Sequence, residues 1–128
     1  MNILAIDYGS KRLGLAWTDT ALGVILPYGL VEQTLLHEKT KEVAGLLKSE
    51  RIHKVVVGYP VGLDGKENAN TERVKKFVFE LQKLTDLPIE YFDERFTSFG
   101  ADNMGEGVSR DERAAMLILQ GFLDSKKR

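Results

Sequence analysis

The sequence predicts a mixed α/β fold in which a five-stranded sheet has helices on both faces. Three apolar segments within the first 31 residues are separated only by turns, which is typical of an antiparallel meander. The remaining chain alternates helical and strand patterns, which is typical of parallel strands joined by helical crossovers. Its length of 128 residues, 43% of them hydrophobic, predicts one domain covering residues 1–128.

The meander consists of the first three predicted strands. Ile3–Ile6 is wholly apolar, as expected of a strand covered on both faces near the middle of a sheet. Leu13–Thr18 follows a tight turn that contains glycine, and Val24–Val31 follows a second turn. Because Pro27 has no amide proton to donate, the third strand is expected at an edge or with a bulge. We therefore expect the first strand to be the innermost of the three.

Two helix-then-strand units follow the meander. Glu38–Glu50 carries apolar residues at helical spacing and leads into the apolar strand Lys54–Gly58. A second helix is predicted to begin near Asn70, a residue type that caps helices well. It leads through Pro88 into the strand Ile89–Phe92. Helical crossovers make these two strands parallel to each other and to the first strand.

The last helix is predicted to begin with a capping box, in which Ser109 is the N-cap and Glu112 lies three residues later. Asp111 lies four residues before Ala115 and seven before Ile118, so it shares the apolar face of this helix. We therefore expect its carboxylate to face the sheet.

Acidic residues are predicted to meet at one edge of the sheet. Asp7 closes the first strand, and Asp93 and Glu94 follow the fifth. The carboxyl ends of parallel strands share one edge, and Asp111 is expected to approach it. Each acid alone has a structural explanation, such as capping a turn or pairing with Arg95. Together they would repel one another unless a cation lay between them, which favours a divalent metal site.

Oxygen ligands in a chain without cysteine favour Mg²⁺ or Mn²⁺. Two such ions about 4 Å apart clamp the attacking and leaving oxygens of phosphodiester hydrolysis. Gly9 would let a phosphate approach the backbone, and Lys11 or Arg12 would bring positive charge to flanking phosphates. These residue types together predict a metal-dependent nuclease.

Four blocks of the chain resemble the YqgF/RuvX family of pre-16S rRNA nucleases, also described as Holliday-junction-resolvase-like proteins. In chain order they are Asp7–Ala16, Val57–Pro60 with Asp64 and Gly65, Asp93–Ser98, and Asp111 with Ala114, Ala115 and Ile118–Gln120. The resemblance spans nearly the whole chain and implies an RNase H-like fold. It implies that Asp7, Asp111 and an acid of the third block hold the metal, with Glu94 favoured and Asp93 still a candidate.

Several residues beside these acids are candidates for substrate contacts. The set is Gly9, Lys11, Arg12, Arg95, Thr97 and Ser98. Thr97 and Ser98 are also suited to capping a following helix. The chain departs from the family pattern at Val61 and Gly62, where members often carry Asn, and in a short segment before Asp111. Fewer lysines in that segment would weaken substrate affinity more than metal binding.

The resemblance implies a nucleic acid as the partner, either structured RNA or branched DNA. Cleavage at the 5′ end of pre-16S rRNA is the favoured activity, with Holliday junction resolution as the other. Two further functions stay open: a non-catalytic RNA- or protein-binding factor in ribosome maturation or transcription, and an actin-like nucleotide-binding half-domain. The size of the chain speaks against the last, because actin-like proteins bind nucleotide between two such domains.

Composition also predicts where the protein acts. The absence of cysteine favours a reducing compartment, and no apolar run is long enough to cross a membrane, so we expect a cytoplasmic protein. A formal net charge of −1 provides no general attraction to polyanions, so a nucleic acid would have to be bound locally. The sequence is compatible with either a monomer or a homodimer.

Overall fold

The computed structural model describes residues 1–9, 11–60, 64–94 and 107–126. The strands along these residues are β1 (Asn2–Tyr8), β2 (Leu13–Asp19), β3 (Val24–Val31), β4 (Lys54–Tyr59) and β5 (Ile89–Asp93). The helices are α1 (Leu36–Ser49), α2 (Ala69–Gln82) and α3 (Arg110–Lys126). The predicted order of elements is confirmed. None of these described helices combines the length and apolar character needed to cross a lipid bilayer.

The five strands form a single mixed sheet in the order β3-β2-β1-β4-β5. β1 pairs antiparallel with β2 and parallel with β4, and β5 continues the parallel half beside β4. Residues 3–6 of β1 are almost completely buried, which confirms the prediction of a central first strand. β3 lies at the edge, and its register against β2 shifts where Pro27 and Gly29 pair with Ala16 and Leu15. The bulge accommodates the proline as expected.

Side chains of β1 alternate between two hydrophobic cores on opposite faces of the sheet. Leu4 and Ile6 belong to the core under α1 and α2, whereas Ile3 and Ala5 belong to the core under α3. Burial of each large apolar side chain in these cores stabilises the fold by roughly 1.5–3 kcal/mol. The sheet is therefore covered by helices on both faces, as predicted, and the same alternation directs Asp7 towards α3.

The predicted capping box of α3 is present in the structure. The amide of Glu112 donates to Ser109 Oγ at 3.1 Å, and the amide of Ser109 donates to Glu112 Oε1 at 3.3 Å. These reciprocal bonds define the first turn of α3, in which Asp111 lies.

The predicted start of α2 near Asn70 is wrong by two residues. Asn68 is the N-cap, and its side chain accepts hydrogen bonds from the amides of Asn70 and Thr71. In return, the Thr71 hydroxyl oxygen accepts a hydrogen bond from the Asn68 amide at 3.0 Å. The residue three positions after Asn70 is Arg73, which has no side-chain acceptor for the reciprocal bond. Asn68 therefore has the better capping partner.

Candidate active site

Asp7 lies at the carboxyl end of β1 with a glycine on each neighbouring strand. Gly14 of β2 is paired directly with Asp7. On the other side, Ile6 pairs with Val57 of β4, so the next position in the parallel register brings Gly58 beside Asp7. Cross-strand neighbours point to the same face of a sheet. Asp7 is therefore flanked by positions without side chains, which leaves room for groups from β5 and α3.

Glu94 reaches Asp7 by crossing over β4. β4 lies between β1 and β5, and Glu94 directly follows β5. A Cβ atom at Gly58 would overlap Oε1 of Glu94 and lie 3.0 Å from its Cγ. In this position the Glu94 carboxyl group donates a hydrogen bond to the Asp7 carboxylate. The bare backbone of Gly58 thus provides the path by which an acid two strands away contacts Asp7.

Asp111 enters from the first turn of α3, which rests directly on Gly14. A Cβ atom at Gly14 would overlap the backbone carbonyl of Asp111 and lie 2.9 Å from its Cβ. Any side chain at residue 14 would push the start of α3 off the sheet. The negative charge of Asp111 raises the pKa of Asp7. Asp7, Glu94 and Asp111 are therefore brought together on the α3 face.

Burial is the main cause of the unusual titration of this pair. It raises the pKa of Asp7, an effect that the hydrogen bond with Glu94 partly offsets and the charge of Asp111 reinforces. Burial likewise raises the pKa of Glu94 to about 8, with further contributions from the hydrogen bond with Asp7 and from the charges of Asp7 and Asp93. Carboxyl groups with strongly raised pKa values in a cleft are typical of functional sites.

The pair faces an open cavity of about 270 Å³. It is lined by Asp7, Glu94, Ala114, Leu117 and Ile118. Two acidic groups thus face a space bordered on the helix side by apolar side chains. The cavity is large enough for a cation with several water molecules.

Glu94 and Asp93 differ in the face of the sheet that they occupy. Phe92 packs into the core under α3, so the alternation along β5 directs Asp93, the partner of Tyr59, to the opposite face. Of the two acids that the sequence left open, Glu94 is the one hydrogen-bonded to Asp7. Asp93 influences the pair through its charge.

Arg12 contacts Asp111 directly. Its Nε donates to Asp111 Oδ2 at 2.7 Å, and its NH1 lies 3.8 Å from Glu32 Oε1. The turn that carries Arg12 is closed by the Gly9 amide, which donates to the Arg12 carbonyl oxygen at 3.1 Å. A Cβ atom at Gly9 would lie 2.5 Å from that oxygen, so glycine is needed for this turn. Sequence patterns gave no signal for the contact between Arg12 and Asp111.

The other candidates for substrate contacts are only partly described. Lys11 is exposed beside Arg12, at the same edge as Asp7. Arg95, Thr97 and Ser98 lie outside the described residues.

Comparison with known proteins identifies the family. The family model for RuvX, described as Holliday junction resolvase, matches residues 1–125. The chain belongs to the RuvX family. It is 39% identical to a relative from Koribacter versatilis, over 97% of this chain and 87% of the relative. A relative from Maridesulfovibrio salexigens is 33% identical, over 96% of this chain and 98% of the relative. Both relatives carry a name that refers to a nuclease for pre-16S rRNA.

Solved structures show the RNase H-like fold of this RuvX protein. Thermus thermophilus RuvC in complex with a Holliday junction substrate has a TM-score of 0.72 at 12% identity, covering 99% of this chain and 95% of RuvC. The fowlpox virus resolvase with Holliday junction DNA has a TM-score of 0.62 at 12% identity, and both chains are covered completely. The description of the family model and the names of the relatives make the RuvX chain a member of a nuclease family.

The acids of the RuvX site suit a hard divalent cation in their chemistry. Asp7 and Glu94 offer carboxylate oxygens and share a proton that a bound cation would replace. Within the described residues, however, no group of three or more Asp, Glu, His or Cys side chains is arranged to hold a metal ion. The third candidate, Asp111, is paired with Arg12. The donors fit Mg²⁺ or Mn²⁺, and two of the three carboxyl groups are already in contact.

The Asp7–Glu94 pair predicts that the metal-free RuvX protein loses stability as the pH rises. The pKa of Glu94 is about 8 in the folded protein, against 4.5 for an ordinary glutamate. Between these values the folded protein keeps a proton that the unfolded chain releases, so the free energy of unfolding falls. Asp7, whose pKa is also raised, contributes with the same sign.

Thermal unfolding in EDTA between about pH 5 and about pH 9 measures this effect. Glu94→Gln cannot release the proton, so its unfolding temperature is expected to decline less steeply with pH than that of the wild type. Parallel declines in the two proteins would contradict the assignment of the buried proton to this pair.

Proposed function

We propose that this RuvX-family chain is a Mg²⁺- or Mn²⁺-dependent endonuclease and that residues 1–128 act as one nuclease domain. The observation that carries the proposal is the half-buried contact between the carboxyl groups of Asp7 and Glu94, beside Asp111. Burial of the two acids raises both pKa values, which disfavours the ionised state that a metal site needs. A divalent cation would compensate for this cost.

Asp7, Glu94 and Asp111 are the proposed metal ligands and catalytic residues. Asp7 and Glu94 would bind the ion through oxygens that now share a proton, and Asp111 would complete the set after leaving Arg12. When bound, the ion supplies positive charge that stabilises the phosphate and activates water for attack. Asp93, on the other face, is the weaker candidate, and its charge favours cation binding nearby.

The turn between β1 and β2 is the proposed phosphate-binding element. Gly9 closes the turn, and Lys11 and Arg12 place two cations at the edge occupied by Asp7. Such contacts position a nucleic acid without reading its sequence. Arg95, Thr97 and Ser98 remain proposed contacts on the basis of the family resemblance.

Precursor 16S rRNA is the proposed substrate, with cleavage at its 5′ end during ribosome biogenesis in the cytoplasm. The names of the relatives from Koribacter and Maridesulfovibrio support this choice. A four-way DNA junction is the second candidate, which the likeness to RuvC with its junction supports at the level of fold.

Cleavage assays on precursor 16S rRNA and on a four-way DNA junction test the proposal. We expect cleavage of the rRNA in Mg²⁺ or Mn²⁺ and none in EDTA, because the carboxylates alone cannot stabilise the charge on a phosphate. Preferential cleavage of the junction would replace the rRNA as the substrate. Salt-sensitive RNA binding without cleavage in either metal would favour a non-catalytic RNA-binding factor.

A further inference from the structure

The ion pair between Arg12 and Asp111 joins a proposed phosphate contact to a proposed metal ligand. We infer that Arg12 holds the Asp111 carboxylate away from the metal until a nucleic-acid phosphate engages the guanidinium, which couples metal binding to substrate binding. This inference rests on the proposed function, since it assumes that Asp111 is a metal ligand. It assigns Arg12 a positioning role in addition to phosphate binding.

The contact between Arg12 and Asp111 is a short hydrogen bond between two charged groups. Arg12 Nε donates to Asp111 Oδ2 at 2.7 Å, and Asp111 is the less exposed of the two side chains, at 26%. Hydrogen bonds between two charged groups are stronger than neutral ones. With Asp111 so engaged, no described group of three metal-binding side chains is formed at the site.

Arg12 is also free enough to exchange partners. Its side chain is 48% exposed, and only Nε is used in the bond to Asp111. The second acidic neighbour, Glu32, is 3.8 Å from NH1 and is itself largely exposed. A guanidinium carries five N–H donors in a planar fork that suits phosphate oxygens. An arriving phosphate can therefore bind Arg12 at solvent-facing donors and then replace Asp111.

The backbone around both residues is held in place, so the exchange needs only side-chain rotation. The Gly9 amide holds the Arg12 carbonyl, and the first turn of α3 is seated on Gly14. Asp111 Oδ1 already lies 3.6 Å from where a Cβ of Gly9 would be, and Gly9 is two residues after Asp7. Releasing Oδ2 would therefore free a carboxylate that is already beside Asp7.

Coupling of this kind is reciprocal. If phosphate binding releases Asp111 for the metal, then metal binding releases Arg12 for phosphate by the same factor. The competing explanation is that the ion pair is permanent and that Arg12 orients Asp111 for the metal at all times. The two explanations predict opposite effects of removing Arg12 on metal affinity.

Isothermal titration calorimetry with Mn²⁺ on the full chain distinguishes them. The proteins are wild type, Arg12→Gln, and Lys11→Gln, which removes the neighbouring charge; Lys11 forms no ion pair among the described residues. Without nucleic acid, we expect Arg12→Gln to bind Mn²⁺ about tenfold more tightly than wild type, within the usual range of such couplings. Lys11→Gln should change the affinity by less than about twofold, because exposed charges are screened.

A second titration includes a four-way DNA junction with phosphorothioate linkages, which resist cleavage. The junction should tighten Mn²⁺ binding by wild type about tenfold more than by Arg12→Gln, because the variant has no ion pair to release. Arg12→Lys keeps the charge but loses the planar fork. Its gain in Mn²⁺ affinity with the junction is expected to lie between the gains of wild type and Arg12→Gln.

Each contrary result has a distinct meaning. Equal or weaker Mn²⁺ binding by Arg12→Gln, or an equal gain in Lys11→Gln, would overturn the coupling and leave the nuclease proposal standing. Adding Asp7→Asn to wild type and to Arg12→Gln identifies the binding site. Mn²⁺ binding that is unaffected by Asp7→Asn in both backgrounds would overturn the metal site and the coupling together.

Discussion

Asp7→Asn is expected to reduce cleavage by at least about 1000-fold, since Asp7 is a proposed metal ligand and its loss would remove several kcal/mol of transition-state stabilisation. Asp7 lies at the centre of the site, flanked by Gly14 and Gly58 and in contact with Glu94. Asparagine has nearly the same shape and can accept the hydrogen bond from Glu94 through its carbonyl oxygen. The loss should therefore reflect charge and not misfolding.

The same variant should be more stable than wild type without metal. Burial and the charge of Asp111 raise the pKa of Asp7, so an ionised carboxylate there destabilises the folded protein. Its removal is expected to increase the free energy of unfolding at neutral pH by roughly 0.5–2 kcal/mol, the usual range for a stabilising substitution. Activity assays and thermal unfolding in EDTA measure the two effects.

Asp86→Asn is the matched control, because it makes the same chemical change on an exposed aspartate in the segment between α2 and β5. Asp86→Asn should change neither the cleavage activity nor the free energy of unfolding. An Asp7→Asn protein that retains more than about a tenth of wild-type activity would remove Asp7 from the mechanism.

Gly58→Ala is expected to reduce cleavage about 100-fold by displacing Glu94, a loss typical of a 1 Å misplacement of a catalytic group. The added methyl group would overlap Glu94 Oε1 and lie 2.5 Å from Ile118 Cδ1. Both neighbours are ends of flexible side chains, so they can move aside at a cost of about 1–3 kcal/mol in stability. Once moved, Glu94 can no longer reach Asp7 across β4.

Gly45→Ala in α1 is the control, since nothing lies within 4 Å of a Cβ at that position. Alanine in a helix is expected to be neutral or slightly stabilising there. Activity is measured well below both unfolding temperatures so that stability does not enter. Full activity in Gly58→Ala would show that Glu94 does not need to cross this glycine.

Local patterns were sufficient to predict much of this fold. Apolar periodicity determines which segments are strands and helices, because burying one face of an element depends only on residue spacing. The capping box at Ser109 and Glu112 was also readable, since both partners lie within one helical turn. The start of α2 was misplaced because Asn68 and Asn70 are equally good caps, and only the partner Thr71 decides between them.

The candidate site could be predicted in part. The carboxyl ends of parallel strands share an edge in any such sheet, so Asp7 and the acids at the end of β5 were expected to converge. The choice between Asp93 and Glu94 depends on which of the two side chains points to the α3 face. Sequence patterns locate the end of a strand only to within one or two residues, so they could not decide this. Contact of Glu94 with Asp7 became evident only from the packed structure.

The sequence by itself determined the order of the elements, the central position of β1 and the acidic edge, because these follow from periodicity and from the rules of chain connection. The tertiary structure alone decided that Gly58 and Gly14 make room for Glu94 and Asp111, and that Arg12 pairs with an acid 99 residues away. The physical reason is that the space above a glycine and the formation of an ion pair depend on distances between atoms remote in sequence. Local sequence patterns contain no information about such distances.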